Sequence, residues 1–171
     1  MPPARATPVN ATAAALLGLL HDGPMSGGEL VAAAGERFGS FFAVTRSQVY
    51  RELPVLAAAG LLKPGRPGPR ASQRYQITAA GRRSFAAWLT SGAASDAVRS
   101  PLVLRLLHAG SLTPKQRAGL VGAGREAYAE RLTAAKAAAK GEDDPYRRAV
   151  ADFVVAHTRA MLRLLDAVPD V

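Results

Sequence analysis

Apolar residues recur at steps of three and four along most of this chain, and the pattern gives way to short extended runs only between residues 61 and 78. Residues 1–10 hold three prolines and no period, so they read as a flexible arm. Thr12 is the expected N-cap of a first helix carrying Leu16, Leu17, Leu19 and Leu20, which Gly23-Pro24 must end. Ser26 and Glu29 have the spacing of a capping box, and the helix they open carries Leu30, Val31, Ala34 and Phe38 up to Gly39. After the apolar link Phe41, Phe42, Ala43 and Val44, Thr45 and Gln48 repeat that spacing. The third helix then places Val49, Leu53, Leu56 and Ala57 on one face and Arg46, Ser47, Tyr50 and Arg51 on the other. Pro54 lies well inside it, where a lost backbone bond and a clash with the Tyr50 carbonyl cost about 3 kcal/mol. A kink or break is expected there.

Leu61-Leu62-Lys63 and Gln73 to Thr78 are short enough for two strands, joined by a glycine- and proline-rich basic loop. A fourth helix from Thr78 or Ala79 carries Phe85, Trp88 and Leu89 before Ser91-Gly92. Beyond it the chain reads as helix throughout. Ser100 or Pro101 opens a segment with Leu102, Val103, Leu106 and Leu107, and Thr113-Pro114 caps a long helix reaching about Lys140. Residues 141–145 turn the chain into a last helix, where Val150, Phe153, Val154, His157, Met161, Leu164, Leu165 and Val168 form one long stripe. Two long helices joined by a tight turn make an antiparallel hairpin, and the surplus stripe favours hairpins packing on each other in a homodimer. The expected class is mainly α (α+β): an N-terminal winged helix-turn-helix with a two-stranded wing, and a C-terminal helical dimerisation region. Residues 1–10 form the arm, 11–92 the winged helix, and 93–171 a dimerisation and effector domain.

Charge sharpens this division. The 171 residues carry a net charge of +9, with a pI near 10.8, which favours a polyanionic partner. Residues 1–92 hold ten basic and four acidic side chains, against twelve and nine in the remainder. Within Phe41 to Gln76, Arg46, Arg51, Lys63, Arg66, Arg70 and Arg74 face the single acid Glu52. The chain has no cysteine, which excludes disulfides, thiolate zinc sites and cysteine nucleophiles. The apolar run from Ala11 to Leu20 lacks a signal-peptide cleavage site, and no run reaches membrane-spanning length, so a cytoplasmic protein without membrane contact is expected.

Four segments in register, LLGLLHDGPMSGGEL from Leu16, FGSFFAVTRSQVYREL from Phe38, AAGLL from Ala58 and RYQITAAGRRSFAAWL from Arg74, resemble PadR-type transcriptional regulators. The resemblance spans about Leu16 to Leu89; beyond it, only the character of the helices matches. It implies a homodimeric repressor that leaves duplex DNA when a small molecule or another signal reaches the dimer. Two positions depart from the pattern. Gly28 stands where an aromatic residue is expected, so that packing is either missing or supplied elsewhere, as by Phe41 or Phe42, and Pro54 interrupts the recognition helix.

The residues expected to touch DNA are Ser26, Thr45, Arg46, Ser47, Gln48, Tyr50 and Arg51, with Arg66, Arg70 and Arg74 on or beside the wing. Arginine can pair bidentately with guanine and Ser or Gln can reach base edges, whereas Tyr50 suits a phosphate. Each is also an ordinary solvated position, and Ser26 is fully explained by its cap. Val150, Phe153, Val154, His157, Met161, Leu164 and Leu165 are the expected dimer contacts, and Phe85, Trp88 and His157 the candidate effector contacts, although core packing is the stronger account of Phe85 and Trp88. His21, His108 and His157 share no ligand spacing, and no nucleophile with its base and acid stands out, so neither metal, cofactor nor enzyme activity is expected. The competing expectation is a protein-interaction module that uses the winged helix only as a scaffold.

Overall fold

The computed structural model describes residues 6–67, 73–92 and 99–169, with the side chains of Arg66 and Pro67 outside the description. The chain divides into two compact units, Met1–Ala94 and Ser95–Val171. In the first, α1 (Ala11–Leu19) is apolar on all sides, and Leu16, Leu17, Leu19 and Leu20 are at most 1% exposed. Such a helix must be surrounded. α2 (Gly27–Phe38), α3 (Arg46–Ala58) and α4 (Ala79–Leu89) pack against it, contributing Leu30, Ala34, Val49, Leu53 and Leu56 to one core together with Leu61, Leu62 and Ile77.

The start of the chain corrects the expectation of a free arm running to residue 10. The Thr7 amide donates to Ser84 Oγ at 3.1 Å, Val9 packs on the core, and Asn10 Nδ2 donates to Glu52 Oε1 at 3.4 Å. Asn10, not Thr12, is the N-cap, accepting from the Ala13 amide at 2.8 Å. Extended backbone at Asn10 brings its short carbonyl over the first turn, and Thr12 already lies within the helix.

The sheet has three strands rather than two, in the order β1 (Met25–Ser26), β3 (Gln73–Ile77), β2 (Leu62–Pro67), all antiparallel. Two residues are too few to carry a period, so β1 leaves no mark in the sequence; it forms because Met25 and Ser26 meet Tyr75 and Arg74. β2 begins one residue later and runs four residues further than the expected Leu61-Leu62-Lys63, with an irregularity in register between Pro64 and Pro67. At the junction with α4, a methyl group on Gly81 would meet the Leu61 carbonyl and the Ile77 side chain, so glycine lets helix and sheet close.

α3 runs unbroken through Pro54. Pro54 is exposed, and the helix is held on its other side by Val49, Leu53 and Leu56, each at most 3% exposed. Burying three such side chains outweighs one missing backbone bond. Gly60, with φ +70°, then reverses the chain into β2.

In the second unit, α5 (Pro101–Leu107) and a 3₁₀ turn (Ala109–Ser111) precede α6 (Pro114–Lys140) and α7 (Pro145–Asp166). Thr113 and Gln116 form a capping box, and Asp144 accepts from the Tyr146 and Arg147 amides. α6 and α7 are antiparallel: Ala135 and Ala139 pack with Ala151, Val154 and Val155, whereas Gly124 meets Leu165 at the other end. Arg125 Nε closes that end on Asp166 Oδ1 at 2.8 Å. The α7 stripe is therefore two faces, which corrects its reading as one interface. Val155, Thr158, Met161 and Leu165 are buried within the unit, and Val154 is half-buried, so Met161 and Leu165 are spent on the hairpin's own core. Val150, Phe153, His157 and Leu164 remain exposed, joined by Tyr146 and Ala160. Their steps of four, three, four, three and four form a separate seam. No helix among the described residues is long and apolar enough to cross a membrane.

Pro54→Ala supplies the donor that the Tyr50 carbonyl lacks without disturbing the core. It should raise unfolding stability by about 1–3 kcal/mol in denaturant titration, and unchanged or lower stability would show that the ring contributes more to α3 than it costs.

Candidate nucleic-acid interface

The orientation of α3 follows from its buried side. With Val49, Leu53 and Leu56 in the core, Arg46, Ser47, Tyr50, Arg51 and Pro54 are turned to solvent. Thr45 fixes where the helix starts: its hydroxyl accepts from the Gln48 amide at 3.3 Å, while Gln48 Oε1 accepts from the Thr45 amide at 2.8 Å and the Thr45 hydroxyl at 3.0 Å. Ser47 Oγ lies 3.1 Å from the Thr45 hydroxyl. Gln48, expected to read a base edge, thus has its carbonyl oxygen committed to the cap. Arg46 lies across Tyr50, its Cζ 5.3 Å from the ring centroid. Arg51 is largely exposed, 3.9 Å from Glu52 Oε1.

The same economy holds at the start of α2. The Ser26 amide donates to Glu29 Oε2 at 2.7 Å, and its hydroxyl accepts from the Glu29 amide at 3.3 Å. Ser26, expected to hold a phosphate, is fully engaged in a capping box. Arg74, expected beside the wing, reaches back instead, donating to the Pro24 carbonyl at 2.6 Å and pairing with Glu29 Oε1 at 3.3 Å. The carboxyl of Glu29 is held below its ordinary range, first by the Ser26 amide, then by the Ser26 side chain, with Arg74 adding a Coulombic pull that partial desolvation opposes. Arg66 lies in β2 with its side chain outside the description, and Arg70 lies outside the described residues.

The aromatic position vacated at Gly28 needs no substitute, since a methyl group there would meet nothing within 4 Å. The close contact is one residue earlier, where Tyr50 lies on Gly27; neither Phe41 nor Phe42 takes that place. Two residues missed in the sequence also belong here. Glu52, buried in the middle of α3, receives Asn10, and Gly27 receives the Tyr50 ring; neither position has a pattern that marks it in advance.

The candidate effector residues separate. Phe85 packs beside Gly18 with its ring centroid 5.0 Å from that of His21, so it belongs to the core around α1 rather than to a free cavity. Trp88 is exposed on α4, and His157 lies in the second unit, stacked on Phe153 at 6.0 Å.

Residues 16–87 match the family model described as the transcriptional regulator PadR-like family. Through this segment, somewhat less than half of its length, the chain is similar to the PadR-like transcriptional regulators. That model describes regulators of transcription. Solved structures with the same fold include the PadR-like regulator BC1756 of Bacillus cereus, 19% identical, with a TM-score of 0.77 over 91% of this chain and 93% of that one. PadR of Bacillus subtilis in complex with operator DNA is 20% identical, with a TM-score of 0.74 over 92% of this chain and 96% of that one. The same protein in complex with p-coumaric acid gives 20% identity and a TM-score of 0.69 over 92% of this chain and 96% of that one. A search of curated protein sequences gives no match.

The capping box at the start of α2 predicts an acid-side titration. Because the folded value of Glu29 is depressed, its contribution to stability is complete above the ordinary glutamate value and is lost as pH falls through the folded one. The Glu29 carboxyl carbon followed by NMR should show a midpoint below that of an ordinary glutamate, and Ser26→Ala should raise it. A midpoint at or above the ordinary value in the parent protein would contradict the box.

Proposed function

We propose that this chain is a homodimeric transcriptional repressor that reads an inverted-repeat operator in duplex DNA with α3, from the cytoplasm, and leaves the operator when a small-molecule effector binds. The observation that carries this reading is the division of α3: three apolar side chains buried, and Arg46, Ser47 and Arg51 presented together on the open side of a capped helix. Such a surface offers two guanidinium groups to base edges or phosphates in the major groove. Arg66 and Arg70 are assigned to phosphates, where charge matters more than geometry. Thr45, Gln48 and Ser26 fix the helix starts proposed to face the DNA, with the side-chain Nε2 of Gln48, which the cap does not use, left to reach a phosphate.

The exposed α7 seam of Tyr146, Val150, Phe153, His157 and Leu164 is the proposed dimer contact, because a 3–4 repeat of apolar positions suits a second helix. The related Bacillus subtilis protein has been captured both with operator DNA and with p-coumaric acid, which supports a release mechanism with a small planar acid as the first ligand to try. Trp88 and His157 remain candidate contacts for it.

Electrophoretic shift with DNA from upstream of the protein's own gene, in the presence of competitor, tests the reading. Arg46→Ala and Arg51→Ala should each weaken operator binding by about 1–3 kcal/mol, whereas Arg66→Ala or Arg70→Ala should chiefly flatten the salt dependence. A double Arg46 and Arg51 variant that binds like the parent would remove α3 from the interface, and failure to prefer any DNA would favour a protein-interaction role. Phe153→Asp, placed on the exposed seam, should give monomers in sedimentation velocity without loss of helix content; a persistent dimer would remove the seam from the interface.

A further inference from the structure

The first two turns of α3 distribute their polar groups unevenly. Ser47 and Gln48 are held by Thr45, and Arg51 lies beside Glu52, but no ion pair among the described residues involves Arg46. Its guanidinium rests instead on the Tyr50 ring one turn later. The ring is itself supported. A Cβ on Gly27 would lie 2.9 Å from Cε1 and Cζ of Tyr50 and 3.2 Å from its hydroxyl oxygen, so the side chain is seated where the buried first residue of α2 has none. Tyr50 is nonetheless 47% exposed, leaving an open surface for Arg46.

From this we infer that Gly27, Tyr50 and Arg46 form a stack that presets one guanidinium for base reading: Arg46 is the guanine-selective residue, and Tyr50 and Gly27 are positioning residues acting through it. The inference rests on the DNA-binding reading above and deepens it by naming the residue that sets sequence preference. A free arginine loses rotamer freedom when it docks, whereas one already lying on an aromatic ring has lost part of that freedom beforehand. The fork then remains open for the O6 and N7 acceptors of a guanine. This replaces the expectation that Tyr50 serves through its hydroxyl on a phosphate. It also gives Gly27 a role its backbone does not require, since its φ is not in the left-handed region.

The test uses the full chain and a preferred duplex obtained by selection. A second duplex carries 7-deazaguanine, which lacks the N7 acceptor, at each selected guanine in turn. Arg46→Ala should lose affinity on the order of tenfold, within the range for one bidentate base contact, and should become indifferent to 7-deazaguanine at one position in each half-site. Tyr50→Phe, which keeps the ring, should bind within about twofold of the parent and keep that discrimination, as expected when ring packing rather than the hydroxyl matters. Tyr50→Leu and Gly27→Ala should lose it, and adding Arg46→Ala to either should cost little more, because residues in one coupled unit are not additive. Tyr50→Phe as damaging as Tyr50→Leu, or additive losses in the double variants, would overturn the inference.

A measurement without DNA separates this failure from failure of the DNA-binding reading. In the free protein the Arg46 δ-methylene protons should show an upfield ring-current shift that persists in Tyr50→Phe and disappears in Tyr50→Leu and Gly27→Ala. If the parent protein selects no sequence, the inference falls with the reading it rests on, whatever the spectrum shows. If it selects a sequence but the shift is absent, the stack alone is wrong.

Discussion

The burial of one face of α3 against α1 is the constraint on which the rest of the first unit depends. α1 has no polar side to give to water, so its leucines require a complete shell, and Val49, Leu53 and Leu56 supply one wall of it. Seating those three side chains fixes the rotation of α3 about its own axis, and that rotation turns Arg46, Ser47 and Arg51 outward. Any sequence change that rotated α3 would expose leucine and bury arginine at once. A charged side chain without a partner is costly to bury, so the exposed face of α3 is as firmly set as the core behind it. Glu52, buried on α3 and met by Asn10, ties the entry of α1 to the same helix.

The groups first suspected of touching DNA thus fall into two kinds. Thr45, Gln48, Ser26 and Glu29 are mostly occupied with satisfying helix ends, and Arg74 anchors β3 to the turn before α2. Arg46 and Arg51 have no such duty sufficient to hold them. The first kind fixes where the helices start, and the second is left for the contact proposed above. A capped helix start cannot fray, so the side chains on its first turn keep their directions. The second unit makes a similar distinction on α7, where Met161 and Leu165 build the hairpin and Phe153 and Leu164 are left over. That remainder is what a partner helix would cover.

Much of this was legible in the sequence because helix caps and apolar periods are local signals. Ser26 with Glu29, Thr45 with Gln48, Thr113 with Pro114 and the long α6–α7 pair all stand where their residue types place them. What was not legible depends on tertiary contact. Pro54 argued for a break because the local penalty was visible and the burial that overrides it was not. Thr12 and Asn10 are both good caps, and only the docking of Thr7 and Val9 decides between them. β1 is too short to show a period, and the α7 stripe could not be split without knowing which side α6 occupies. Glycine carries no signal for its neighbour, so the seat that Gly27 provides for Tyr50 was invisible.

In the proposed function, two copies of α3 enter successive major grooves of duplex DNA. Selection of bound sequences from random duplexes by the purified protein tests it most directly, since recognition, symmetry and spacing are read together. An enriched inverted repeat is expected, with half-site centres about 10 base pairs, or a multiple of that, apart. Enrichment of no sequence, or of a single half-site without symmetry, would contradict it.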